Sequence, residues 1–155
     1  MANPGLDGAD LRTFQPPDLP RDAVYTSCYC EENIYLLCQR FSSIPAVADN
    51  WLISAVFISN KAKKVALFFQ KAARSARLPV VWDYHVILLL QPKDLNLARV
   101  VREPGIGESL EGDPAAQNRA GSYVYDLDSH LPSPCPWEDY LELTFPSSLL
   151  PEYQR

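Results

Sequence analysis

Residues 80–91 read Val-Val-Trp-Asp-Tyr-His-Val-Ile-Leu-Leu-Leu-Gln, the most apolar stretch of the chain and of a length that suits a central strand. A fold built around a sheet is therefore expected. The polar members Asp83 and His85 share one face by the period-2 rule of strands. A titratable ring inside so apolar a segment must be paired to be tolerated when buried. His85 is thus the first residue to mark as a candidate for chemistry.

The other elements follow from shorter signals. Cys30, Ile34, Leu37, Cys38 and Phe41 recur at the spacing of one helical face, with Glu31 and Glu32 in the first turn, where acidic groups complement the positive end of the helix. Cys30 is expected at or near that helix's N-terminus. Residues 52–59 and 64–70 are β-rich and separated by Asn60-Lys61-Ala62-Lys63, which predicts a hairpin, although the second run could instead begin a helix, because residues 71–77 are good helix formers. Residues 122–127 return to strand character, and residues 137–145 predict a short helix after a proline-rich turn. Residues 1–21 read as an irregular arm and residues 92–121 as a long insertion rich in Glu, Gly, Pro and Asn. Residues 22–155 form the expected single domain.

With a formal charge of -5 and its 14 basic residues spread along the chain, there is no basic patch to meet nucleic-acid phosphates. Nucleic acid is not an expected partner. No apolar run reaches the roughly 18 residues of a membrane span, and the first residues lack the pattern of a signal peptide. A soluble, intracellular monomer with no membrane partner is expected. In such a compartment Cys28, Cys30, Cys38 and Cys135 are expected as free thiols.

Thiol-dependent amide chemistry needs a thiolate, an imidazole to share its proton and a group to orient the imidazole. Cys30 is the best nucleophile, because a helix N-terminus favours a thiolate, whereas Cys28 lacks that placement and Cys38 falls on the apolar face. His85 is a better base than His130, which sits in an exposed-looking turn. Asp126, in the run Tyr123-Val124-Tyr125-Asp126-Leu127, can orient His85 if the two strands pair, and Asp128 follows on the same face. Two other readings stand beside this one. Cys28, Cys30, His85 and Cys135 could ligate zinc, though structural zinc favours cysteine pairs two to four residues apart. His85 could equally be a satisfied core histidine.

Four blocks change the weighting: Tyr25-Thr26-Ser27-Cys28-Tyr29-Cys30-Glu31-Glu32-Asn33-Ile34-Tyr35, Ala55-Val56-Phe57-Ile58-Ser59-Asn60, Trp82-Asp83-Tyr84-His85-Val86 and Tyr125-Asp126-Leu127-Asp128. Together, and in this order, they resemble the protein N-terminal glutamine amidohydrolases, a family also named for its WDYHV motif. The resemblance implies an α/β (α+β) fold with a papain-like or transglutaminase-like core, in which a helix bearing Cys packs on an antiparallel sheet bearing His and Asp. It implies a triad of Cys30, His85 and Asp126, no cofactor and no metal. The implied activity is hydrolytic deamidation of an N-terminal glutamine to glutamate with release of ammonia. Protein or peptide N-termini beginning with Gln are the implied partners, with a place in the N-degron pathway in cytoplasm and nucleus. To sense a free α-ammonium the site needs a carboxylate, and Glu31, Glu32 and Asp83 are available. Two departures are evident: residues 92–121 exceed the family's usual connection, and family chains normally continue well past residue 155. A thiol protease, an acyl transferase or a shortened, inactive domain that binds protein N-termini are the alternatives.

Overall fold

The computed structural model describes residues 15–75, 78–93 and 121–146. Most of the expected N-terminal arm, the expected insertion and residues 147–155 lie outside the described residues, as do residues 76 and 77 of the alternative helix. The elements in chain order are α1 (Cys30–Ser42), α2 (Pro45–Asn50), β1 (Trp51–Ser59), β2 (Val65–Leu67), β3 (Val80–Trp82), β4 (Tyr84–Pro92), β5 (Tyr123–Tyr125), β6 (Cys135–Pro136) and α3 (Trp137–Thr144). Strands β1, β4, β5 and β6 form an antiparallel sheet in the order β1-β4-β5-β6, and β2 and β3 form a separate antiparallel pair. The result is a mixed α/β fold.

Strand β4 is central, as its composition predicts: every residue from 85 to 90 is buried. Alternation then sends its side chains to two cores. Val86, Leu88 and Leu90 pack with Tyr125 against Ile34, Leu37 and Phe41 of α1, where the Phe41 and Tyr125 rings meet edge to face at 5.0 Å. Ile87 and Leu89 pack with Ile58 and Val124 against Val65 and Leu67 of β2 and Tyr140 of α3. Truncating one of these fully buried leucines to alanine would cost about 2 to 5 kcal/mol.

Helix α1 forms over the residues whose periodicity predicts it, and Ile34, Leu37 and Phe41 are its buried face. Two strand expectations need correction. The run 80–91 is not one strand, because it bends at Asp83, whose Oδ1 accepts from the Tyr84 N–H at 2.9 Å and whose carbonyl accepts from the Ser59 hydroxyl at 3.1 Å. The bend hands β3 to one sheet and β4 to the other. The expected hairpin is also absent: β1 pairs with β4 from Trp51↔Pro92 to Ser59↔Tyr84, and β2 pairs with β3. The polar turn between β1 and β2 does exist, closed by the Asn60 side chain on both backbone groups of Lys64, with Lys63 at φ 51. Beyond this turn the chain pairs with β3 rather than running back along β1. The described part of 71–77 is turn, not helix.

Candidate active site

The loop that delivers Cys30 is tied down before the helix begins. Asn33, buried in the first turns of α1, donates to the Thr26 carbonyl at 2.7 Å and accepts from the Thr26 N–H at 2.9 Å. Tyr25 donates to Asp128 Oδ1 at 2.8 Å, and the Lys71 ammonium lies 4.9 Å from the centre of the Tyr25 ring. These contacts hold residues 25–29 against both α1 and the loop after β5. Within that loop Cys28 is exposed at φ 67, while Cys30 is half-buried at the first position of α1. No side chain caps this helix start, so its first-turn amides are open to a ligand's oxygen.

His85, the second residue of β4, is wholly buried. Its Nε2 meets Asp126 Oδ1 at 3.0 Å, and the Trp82 ring stacks on it at 5.7 Å and 22°. Burial works against a charged ring, but the hydrogen bond and charge of Asp126, joined by those of the Cys30 sulfur, outweigh it and push His85 up to about 10. The ring is therefore an imidazolium at neutral pH. Nδ1, the nitrogen left over, makes no hydrogen bond of normal geometry even though the ring responds to the Cys30 sulfur.

Asp126 stands one residue past the end of β5, not inside the strand, and the register Leu88↔Tyr125 makes it a diagonal rather than a direct neighbour of His85. Both its oxygens are filled. Oδ1 accepts from His85 and from the Asp128 N–H at 3.0 Å, and Oδ2 accepts from the Gln70 amide at 3.1 Å and the Tyr140 hydroxyl at 2.9 Å. Burial raises the Asp126 pKa, but the His85 bond and charge, with Gln70 and Tyr140, overcome this and hold it below the usual carboxylate range. Gln70 is put in place by Phe69, at φ 57, and by Lys71, whose backbone N–H donates to the Asp128 carbonyl at 2.7 Å. Asp128, by contrast, turns its Oδ1 to Tyr25. Gln70 and Tyr140 escaped the reading of the sequence, because only the tertiary fold brings residues 56 and 14 positions away to Asp126.

The other candidates separate clearly. Glu31 is exposed and engages the Tyr84 hydroxyl, whose pKa rises through that bond, burial and the charges of Glu31, Cys30 and Asp83. Glu31 and Asp83 thus flank Tyr84 beside Cys30. Asp83 itself is exposed in the bend before β4 rather than sharing a strand face with His85, and Glu32 is exposed with no hydrogen bond or ion pair among the described residues. His130 is exposed and engaged through its backbone N–H to the Phe69 carbonyl at 2.7 Å. Burial raises the pKa of Cys38 and carries that of Cys135 up to about 11.

Among the described residues the zinc set is not assembled. Cys135 is buried in β6, beside Val124 of β5, and the one grouping of potential ligands among the described residues is His85, Asp126 and Asp128, within 4.8 Å. Asp126 already accepts four hydrogen bonds, so a cation there would have to displace donors. A separate apolar groove of about 260 Å³ lies between β1 and α3, lined by Val56, Phe57, Ile58, Trp137, Leu141 and Phe145 among others. It does not contain Cys30 or His85.

A free thiol at an uncapped helix start, a buried imidazolium and a fully bonded carboxylate are the groups that nucleophilic amide chemistry uses. The family model described as N-terminal glutamine amidase matches residues 25–155. Similar proteins called protein N-terminal glutamine amidohydrolase occur in Bos taurus (36% identical, covering 92% of this chain and 57% of the relative) and Homo sapiens (36%, 92% and 58%). Another, from Danio rerio, is 38% identical and covers 85% of this chain and 53% of the relative. The chain thus spans rather more than half the length of the curated relatives it matches. A family match that takes in the Cys30 loop, the His85 strand and Asp126 together agrees with the grouping seen in the fold, and the chain belongs to the N-terminal glutamine amidase family.

Proposed function

We propose that this chain hydrolyses the side-chain amide of an N-terminal glutamine, with Cys30 as nucleophile, His85 as acid and base, and Asp126 as the group that orients His85. The observation that carries this reading is the buried His85, bonded through Nε2 to Asp126 and left with Nδ1 for the Cys30 sulfur. The Cys30 thiolate attacks the carboxamide carbon, and its electron pair moves onto the amide oxygen. As the tetrahedral adduct collapses, the C–N bond breaks and the nitrogen takes the His85 proton, leaving as ammonia. A thioester remains. Water then adds to it, giving one proton to His85, and collapse expels the sulfur and leaves glutamate. The Cys30 backbone N–H at the open start of α1 is the candidate donor to the oxyanion.

Selectivity for a terminal residue needs an anion for the α-ammonium. Glu31 and Asp83, beside Tyr84 and close to Cys30, are the carboxylates proposed for it, while nothing in the fold recruits Glu32. The same reading takes residues 22–155 as a catalytic domain and the core as papain-like or transglutaminase-like, supported by the packing of α1 on β4. It also places the product, a protein beginning with glutamate, in the N-degron pathway of cytoplasm and nucleus. The test is ammonia release from a short Gln-initiated peptide by the full chain, with Cys30→Ala as the control. Ammonia production that survives Cys30→Ala would defeat the assignment.

A further inference from the structure

Tyr140 belongs to α3, an element with no part in the proposed chemistry, yet its hydroxyl crosses to the carboxylate of Asp126. The bland reading is a core tyrosine whose hydroxyl has found an acceptor, since buried tyrosines usually do. The pattern around Asp126 argues for more. A carboxylate offers about four lone-pair positions, and all four are taken: His85 and the Asp128 N–H on Oδ1, Gln70 and Tyr140 on Oδ2. The donors come from β4, from the carboxylate's own loop, from the segment after β2 and from α3. Rotation of the carboxylate in any direction therefore breaks bonds to at least two elements.

We infer that Tyr140 is a positioning residue: its O–H, paired with the Gln70 amide, pins Oδ2 of Asp126 so that Oδ1 is held on His85 Nε2. This rests on the proposed role of His85 and Asp126. Its effect on charge is separable from its effect on packing, because the hydroxyl also helps keep Asp126 ionised beside its neighbours. The groups facing that carboxylate are His85, Gln70, Tyr140 and the Asp128 N–H. The Asp128 carboxylate, turned to Tyr25, lies within 4.8 Å as a like charge, and Cys30 acts through His85.

Tyr140→Phe removes the donor and keeps the ring. With one charge-assisted bond gone, Asp126 should take up a proton about one pH unit higher, and kcat should fall about tenfold with KM little changed. The chain has two histidines, so ring nitrogens labelled with ¹⁵N give an uncrowded NMR signal for His85. The low-pH midpoint at which that signal changes reports Asp126 without any substrate. Leu141→Ala, which loosens α3 without touching the hydroxyl, is the packing control and should leave the midpoint in place. A 3-fluorotyrosine at position 140, a stronger donor of nearly the same shape, should move the midpoint down and serves if the phenylalanine variant folds poorly. A midpoint unmoved by either change, with kcat no lower than in Leu141→Ala, would overturn the inference. A shifted midpoint in a chain that releases no ammonia would support the positioning of Asp126 and count against the proposed reaction instead.

Discussion

Asp126→Asn isolates charge from shape, because the new amide can be accommodated. Its oxygen can keep the places facing His85 and the Asp128 N–H. Its NH2 then faces Gln70 and Tyr140, where Gln70 Oε1 is buried without a partner and, after an amide flip, can accept, as can the Tyr140 oxygen. The fold should survive, whereas the counter-charge of His85 is gone. With Asp126 present the ring stays protonated far above neutrality, pushed up to about 10. Without it, burial is opposed by the Cys30 sulfur alone, and a ring returned to its ordinary value of about 6.5 is roughly a tenth imidazolium at pH 7.5. That contributes a factor of about ten. The bond to His85 survives as a neutral one, and the difference between a charged bond, about 1.5 to 3 kcal/mol, and a neutral one, about 0.5 to 1.5 kcal/mol, contributes about tenfold more. The expected fall in kcat/KM is about a hundredfold, less than the ~10⁴-fold seen when a serine triad loses its charge. The pH trend is the sharper test: residual ammonia release should rise as the pH is lowered from 8 toward 6, because imidazolium returns. Ammonia release and circular dichroism on one preparation would separate activity from folding. Full activity in Asp126→Asn, combined with loss in Asp128→Asn, would refute the reasoning and exchange the roles of the two aspartates.

Cys30→Ser should abolish ammonia release while Cys28→Ala retains part of it, and peptide mapping after brief iodoacetamide treatment should find Cys30 modified first, ahead of Cys38 and Cys135, whose pKa values burial raises. Early labelling of Cys135 would contradict this. The His85–Asp126 pair should also make stability depend on pH in both directions. The contribution of His85 is complete below its unfolded value of about 6.5 and is lost as pH rises through about 10. That of Asp126 is complete above about 3.9 and is lost as pH falls through its lower folded value. Thermal melts should therefore show Tm declining from pH 6.5 toward 10 more steeply in the parent than in Asp126→Asn, and parallel curves would exclude the pair as the cause. Asn-initiated, N-acetylated and internal-Gln peptides should be deamidated at least about a hundredfold more slowly than Gln-initiated ones, since a misplaced amide loses near-attack geometry. Mass spectrometry of all four peptides measures this, and a comparable rate on the acetylated peptide would sink recognition of the terminal amine.

The parts of this fold that are legible in the sequence are those governed by local periodicity. Ile34, Leu37 and Phe41 mark the buried face of α1, and the apolar run from Val86 to Leu90 marks a strand covered on both sides. The grouping of Cys30, His85 and Asp126 follows from short motifs of the family rather than from any spacing rule. What periodicity misses are the points where one side chain redirects the backbone. The Asn60 side chain closes a turn on Lys64, yet β2 leaves β1 to pair with β3, so the expected hairpin does not form. Asp83, read as a strand residue, uses its carboxylate to make a bend. Gln70 and Tyr140 were illegible for another reason: nothing local distinguishes a glutamine after a short strand, or a tyrosine on an amphipathic helix, until Asp126 arrives between them.

The bend at Asp83 also bears on where the proposed chemistry lies on this sheet. Helix α1 covers the face of Val86, Leu88 and Leu90, while Tyr140 and β2 cover the opposite face, shared by Ile87 and Leu89. By alternation His85 belongs with Ile87, on the face of Asp126 and Tyr140, although its thiol neighbour comes from the helix on the other side. The two can meet only near the first residues of β4, where Cys30 acts on both Tyr84 and His85. A slip of one residue in the start of β4 would carry His85 to the α1 face and away from Asp126. Asp83 opposes that slip by holding the Tyr84 N–H with its side chain and the Ser59 hydroxyl with its carbonyl. One of its carboxylate oxygens is therefore committed to the backbone, whereas Glu31 is committed only to the Tyr84 hydroxyl. Of the two carboxylates proposed for the substrate ammonium, Glu31 would thus give up less to accept it, whereas Asp83 also holds the bend at which β4 begins.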